Sequence, residues 1–238
     1  MKKKLKNNFT LVEIAVVLVV LVALAGLVVP KALGYAQRSH GTTGAANMAQ
    51  LESNINRYEA ENFAFPDRWD SLIDEADAIV PGGDTPFNPV AASTIDAELV
   101  DKLADVGITT VYDFVAAQGY STFGGAQTAE PIVGASVLAQ VDTGAVSISA
   151  ILGNNWNDAD TYVAFGIGEN LSAIGKTMVS APYDFPEGAE KPEDNYRRFI
   201  AIFNVSGEKA KLAGVVANDD GNITNIQDHI NEYYEATE

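Results

Sequence analysis

Few residues of this chain combine type and spacing in a way that could do chemistry. Glu13 stands at the edge of an apolar run, residues 14–29, that carries no charge. A carboxylate beside such a run needs a counter-charge: at hydrocarbon depth it costs on the order of 2.5–3.5 kcal/mol on insertion scales. The chemistry open to Glu13 is therefore ion pairing. Asp219-Asp220-Gly221-Asn222-Ile223 is rich in oxygen donors and partly matches a calcium loop. Aligned on Gly221, such a loop needs acids where Val216 and Gln227 stand. Asp-Gly between two apolar runs is also a hairpin signal, and the hairpin is the favoured reading. Asp184, Glu187, Glu190, Glu193 and Asp194 read as a solvated acidic loop. His40 and His229 are the only histidines, in separate contexts and with no nucleophile attached. The chain has no cysteine, so disulfides and thiolate metal sites are unavailable. No dinucleotide, P-loop or hydrolase pattern occurs. The residues predict no catalytic site, no metal site and no enzyme.

The element that must position Glu13 is a helix over residues 9–29, roughly 31 Å long and so about the thickness of a bilayer core. Three readings fit this N-terminus. A plain anchor leaves Glu13 unexplained. A removable secretory signal is supported by the basic Lys2, Lys3, Lys4 and Lys6 and by Ala23-Leu24-Ala25 before Gly26. Against it, the apolar run continues past that site and holds an acid at its edge.

The third reading rests on a resemblance. Phe9-Thr10-Leu11-Val12-Glu13 after a short Lys-rich leader is similar to the class III signal of type IV pilins and type II secretion pseudopilins. Pro30 and Tyr35 also stand where that family usually carries a helix-distorting proline and a tyrosine. One position departs: the family nearly always has Gly before the cut, and here it is Asn8. The resemblance implies a prepilin peptidase that cuts between Asn8 and Phe9 and methylates the new Phe9 amine. It implies that Glu13 meets the Phe9 ammonium of a neighbouring subunit in a filament core, with Pro30 shaping the same helix. It also implies partners: other copies or homologous pilin subunits, the peptidase, an inner-membrane assembly machinery, and membrane lipid before assembly. The major pseudopilins often bind calcium near a C-terminal loop, which keeps Asp219, Asp220 and Asn222 as candidate calcium ligands.

Composition bounds the rest. The 238 residues are 47% hydrophobic, enough for one sizeable core, and the net charge is −17. So acidic a surface repels nucleic acid and suits basic partner surfaces or divalent cations. Leu103-x3-Gly107-Ile108 matches half of a helix–hairpin–helix DNA module, but the surrounding charge is acidic and supplies no phosphate-binding surface. The lysines ahead of the apolar run predict a cytoplasmic N-terminus and an outside C-terminus: an inner-membrane, single-pass protein that then enters a periplasmic or cell-surface filament.

The expected domains are a leader over residues 1–8, a spine helix over 9–62 (transmembrane at 9–29 before assembly) and an extracytoplasmic head over 63–238. Gly41-Thr42-Thr43-Gly44 should loosen the helix, either as a break or as a soft point. Met48, Leu51, Ile55 and Tyr58 form its apolar stripe. Pro66 should end it near Asn62. Residues 70–78 read as a short helix, residues 80–155 as an insertion with a helix over 96–106, and residues 161–226 as antiparallel strands. The expected fold is α+β: a long N-terminal hydrophobic spine helix packed on a C-terminal antiparallel sheet, pilin-like, with a mixed insertion. The expected function is a structural subunit of a pilus or pseudopilus-like filament. The rival is a non-polymerising binding domain, membrane-anchored or secreted, with a ligand surface in residues 80–155.

Overall fold

The computed structural model describes residues 10–80, 85–95, 98–115, 127–134, 136–142, 144, 146–184, 196–219 and 222–235. Helix α1 (Leu11–Asn62) has 52 residues. It is followed by β1 (Trp69–Asp74), β2 (Phe87–Ala91), α2 (Ala92–Ile95), α3 (Leu99–Asp105), β3 (Thr110–Phe114), β4 (Gln127–Pro131) and β5 (Val137–Val141). Then come α4 (Val146–Leu152), β6 (Tyr162–Gly166), β7 (Ile200–Asn204), β8 (Lys211–Asp219), β9 (Asn222–Thr224) and α5 (Ile226–Glu235).

The nine strands form one mixed sheet in the order β4-β3-β1-β6-β7-β8-β9, and β5 joins β6 while carrying β2 on its outer side. Strands β1 and β3 run parallel. The other pairings are antiparallel. The centre of the sheet is apolar on both faces. Val163, Phe165, Ala201 and Phe203 point into the cluster that includes Met48, Leu51, Ile55 and Tyr58 of α1. The alternate residues Tyr162, Ala164, Ile200 and Ile202 point into a second cluster with Leu72, Phe87, Phe114, Val141 and Ile148. An antiparallel sheet with one wet face would alternate apolar and polar residues. Here a second layer, drawn from residues 72–80 and 87–152, covers the far face.

The outer half of α1 follows its stripe. It ends at Asn62, and Phe63 takes a left-handed conformation at φ 56° while its N–H donates to Glu59 O at 2.7 Å. Phe65 and Trp69 then turn inward against the ring of Phe203, with centroids 5.2 and 5.4 Å away. Trp69 Nε1–H donates to Pro66 O at 2.6 Å, which fixes the turn.

The expected fold is corrected in its arrangement. The sheet is mixed rather than antiparallel and starts at residue 69, because the parallel β1–β3 pair and β2–β5 belong to it. The described side chains over residues 11–26 of α1 are exposed, so α1 is not the hydrophobic spine that was expected. Three local expectations also change. Residues 69–74 form a strand, every residue of it buried, where a helix with solvent-facing acids was expected. Asp184 is buried at 5% exposure rather than solvated, while Glu187, Glu190, Glu193 and Asp194 lie outside the described residues. Finally, α1 passes unbroken through residues 41–44. Gly44 has a packing role there: a Cβ on it would stand 2.7 Å from His229 Nδ1 and 3.2 Å from Asp184 Oδ1. The missing methyl is what lets α5 lie against α1.

Gly44→Ala should therefore destabilise the head by about 1–3 kcal/mol through overpacking. Adding His229→Ala should make the double variant lose less than the sum of the singles, as sites in contact do. Urea unfolding of the four proteins measures this coupling, and strict additivity would contradict the close approach.

Candidate functional site

The part of α1 that holds Glu13 begins at Thr10, whose extended backbone (φ −74°, ψ 153°) makes it the N-cap. Thr10 N–H and Thr10 Oγ1–H both donate to Glu13 Oε2, at 2.7 and 2.8 Å, and Glu13 N–H donates back to Thr10 Oγ1 at 3.3 Å. This is a reciprocal capping box: it satisfies two of the amides that a helix leaves open at its start. The bond from the Thr10 amide, then that from its hydroxyl, holds the Glu13 carboxyl below the usual carboxylate range. Both bonds fall on one oxygen, and Oε1 keeps its acceptor capacity.

Past the cap, the side chains of residues 14–26 are apolar or glycine and open to solvent. The described large apolar side chains between Leu11 and Val29 are exposed, from 50% at Val20 to 84% at Leu11. Burying a Val, Leu or Ile is worth about 1.5–3 kcal/mol. A patch of this extent is therefore an interaction surface, far beyond the scattered apolar residues of an ordinary monomer.

Two buried polar groups stand out in the head. In the first, His229 is held between α1 and residue 184: His229 Nε2 lies 3.2 Å from Thr224 Oγ1 and 3.8 Å from Asp184 Oδ2. In the second, Asp70 of β1 accepts from Tyr196 Oη at 3.0 Å and from Gln127 Nε2 at 2.9 Å. Asn170 Nδ2 donates to Gln127 Oε1 at 2.9 Å and extends the chain of amides. Gly166 and Gly168 make room, since a Cβ on either would overlap Tyr196 or Asp70. Burial pushes the Asp70 carboxyl up, opposed by the charge of Arg198 and the bonds from Gln127 and Tyr196. Burial, then the Asp70 charge, pushes the Tyr196 phenol well up. Asp70 pairs with Gly166, where β1 meets β6. Asp70 and Tyr196 are sealed from solvent, Gln127 is half-buried and Asn170 is exposed, and the group acts as a structural joint.

Of the residues singled out by the sequence, the structure reaches some. Glu13 is at the helix start, and α1 runs through Pro30, whose side chain lies outside the described residues, as does that of His40. Asn8, Phe9 and the leader also lie outside them. Asp219 and Asn222 pair across the β8–β9 hairpin, as the Asp-Gly signal predicts. Their side chains and the whole of Asp220 are outside the described residues. Among the described residues, no group of three or more His, Asp or Glu could hold a metal ion.

No family model matches the chain, and no solved structure matches it. Curated relatives do. The chain is similar to the type II secretion system core protein G of Pseudomonas aeruginosa, 32% identical over 72 residues, which are 30% of this chain and 51% of that protein. It is similar to the core protein G of Aeromonas hydrophila, 33% identical over 66 residues, 28% and 46% of the two chains. With that of Dickeya chrysanthemi it shares 36% identity over 61 residues, 26% and 40%. The chain spans about half the length of the curated relatives it matches. This partial similarity supports the pseudopilin family.

The expectation of an inner-membrane, single-pass anchor is corrected. Among the described residues, no helix is long and apolar enough to cross a membrane. The Glu13 carboxylate stands in the first turn of α1, at the edge of its apolar stretch.

Sequence reasoning missed two features. Thr10-x-x-Glu13 is itself the signature of a capping box, so Glu13 finds hydrogen-bond donors within its own chain. The Asp70 group had no comparable signal, because Asp70, Gln127 and Tyr196 are far apart in the chain. Its protonation has a measurable consequence. A carboxyl whose folded pKa is raised adds stability that is fully present below its unfolded pKa and is lost as pH rises through the folded value. Asp70→Asn should remove that loss, so its unfolding midpoint relative to the parent should rise across the acidic range. Parallel pH series for the two proteins would refute it.

Proposed function

We propose that the chain is a structural subunit of a type II secretion pseudopilus-like filament, and not an enzyme. The exposed apolar stretch of α1 carries this reading: side chains that are open to solvent along a helix are covered when helices of other copies surround it. The partial similarity to core protein G supports the same reading. In the assembled state the inner halves of α1 bundle, and the acidic heads face outward.

Within this reading a prepilin peptidase cuts between Asn8 and Phe9 and methylates the Phe9 amine, and an assembly machinery adds subunits. Glu13 then has two tasks. Its Oε2 caps its own helix through Thr10, and its Oε1 accepts from the Phe9 ammonium of a neighbouring copy. The box holds the carboxylate in place before the neighbour arrives, so less freedom is lost on pairing.

Glu13→Gln separates the two tasks, because Gln serves in a capping box but carries no charge. The helix start should stay intact, while assembly should fall on the order of a hundredfold, as when one partner of a buried ion pair is removed. The measurement is sedimentable filament against monomer at matched expression, with the intact mass of the filament protein showing whether it begins at Phe9. Normal assembly of Glu13→Gln would refute the pairing and favour a non-polymerising binding domain.

A further inference from the structure

The head carries a knob and a hole that fit neither the core nor the helix bundle. The C-terminal cap of α1 needs a left-handed residue, for which glycine is the usual choice and a side chain is strained. This chain places Phe63 there, at φ 56° and 92% exposed. The position thus combines backbone strain with an aromatic ring in water, and neither benefits the monomer. Among the described residues of the head, the other large apolar side chain left almost bare is Val179, 93% exposed. Val179 stands on the rim of a groove of about 220 Å³ between α1 and residues 177–182. Leu51 and Met178 line its floor, and Asn47, Gln50 and Asn54 of α1 form one wall. Thr177 Oγ1, also on this groove, is buried without a hydrogen-bond partner. An apolar floor inside a polar rim is the anatomy of a protein interface.

We propose that Phe63 of one copy docks in the groove of a second copy. Two observations select a second copy as the occupant. Among the described residues no charged side chain lines the groove, although the chain carries a net charge of −17. Two such copies repel elsewhere and can approach closely through this surface. The knob and the hole also lie at different places on the same chain, so the contact is head-to-tail, the kind that generates a filament when its rotation does not close. From Gln50 to Phe63 along α1 is about 20 Å of rise, so with parallel helices each contact sets one copy that far along the axis from the other. The inference rests on the filament reading and names a head contact within it.

The absence of cysteine from the chain makes the contact directly testable. Gln50→Cys with Asn62→Cys puts one thiol on the groove wall and the other beside the knob. They are about 18 Å apart along α1, far beyond the ~7 Å Cα limit of a disulfide, so a bridge must join two copies. Oxidised filaments of this full-length double variant should give a ladder of covalent multimers, whereas each single variant should stop at dimers. Adding Phe63→Ser should reduce the ladder at least tenfold, because the thiols remain and the knob is gone. Filaments that sediment normally without a ladder, or a ladder indifferent to Phe63→Ser, would overturn this contact and leave the filament reading standing. A parent protein that stays monomeric would overturn both. A Gln50→Cys single variant that cross-links to a different protein would overturn the contact by assigning the groove to another occupant.

Discussion

The head is built around covering two strands from both sides. Every residue of β6 is buried, and so are Ile200, Ala201, Ile202 and Phe203 of β7. One face needs a helix, and the stripe Met48, Leu51, Ile55 and Tyr58 supplies it. The other face needs a second apolar layer, and the segments that hold Leu72, Phe87, Phe114 and Ile148 supply that. The segment read from sequence as an insertion is thereby tied into the central sheet through β5, which pairs with β6 at Ala139 and Gln140. Buried apolar area on both faces is what makes one cooperative core from strands so far apart in sequence.

The same helix that completes this core leaves it. From Gly44 outward α1 is pinned by α5 and the sheet, and the outer end is further held where Lys176 Nζ donates to Tyr58 Oη at 3.0 Å. Toward its start, α1 offers bare apolar side chains and one carboxylate. A single continuous helix therefore joins a folded head to a stretch of bare apolar side chains. The capping box matters here because it starts the helix at a defined residue and fixes where the lone carboxylate sits.

Features with a local physical cause were legible in the sequence. The stripe on α1 follows from helical period, its end from Pro66, and the β8–β9 hairpin from Asp-Gly. β1 was illegible because Asp70, Ser71 and Asp74 imitate the polar face of a helix. They are buried instead: Asp70 is met by Gln127 and Tyr196, which no local pattern announces, while Asp74 accepts from the amides of Ala76 and Ala78 and Ser71 bonds the backbone of Ile73. The parallel β1–β3 pairing is equally non-local. For the candidate site, Glu13 stood out by its neighbourhood, and the resemblance supplied a partner in another copy. The partner within the chain, Thr10, was readable from its spacing alone. The positive φ of Phe63 had no signal, since the sequence there shows an aromatic residue where glycine is the norm.

The central claim is that the bare stretch of α1 is covered by other copies. Val19, at 70% exposure and with no cysteine elsewhere in the chain, offers the most direct reporter. Val19→Cys should react rapidly with a water-soluble maleimide in dilute monomer and at least tenfold more slowly in sedimented assemblies, with reactivity restored on dissociation. Equal labelling rates in the two states would contradict the account, because the surface that defines the proposed function would then remain in water.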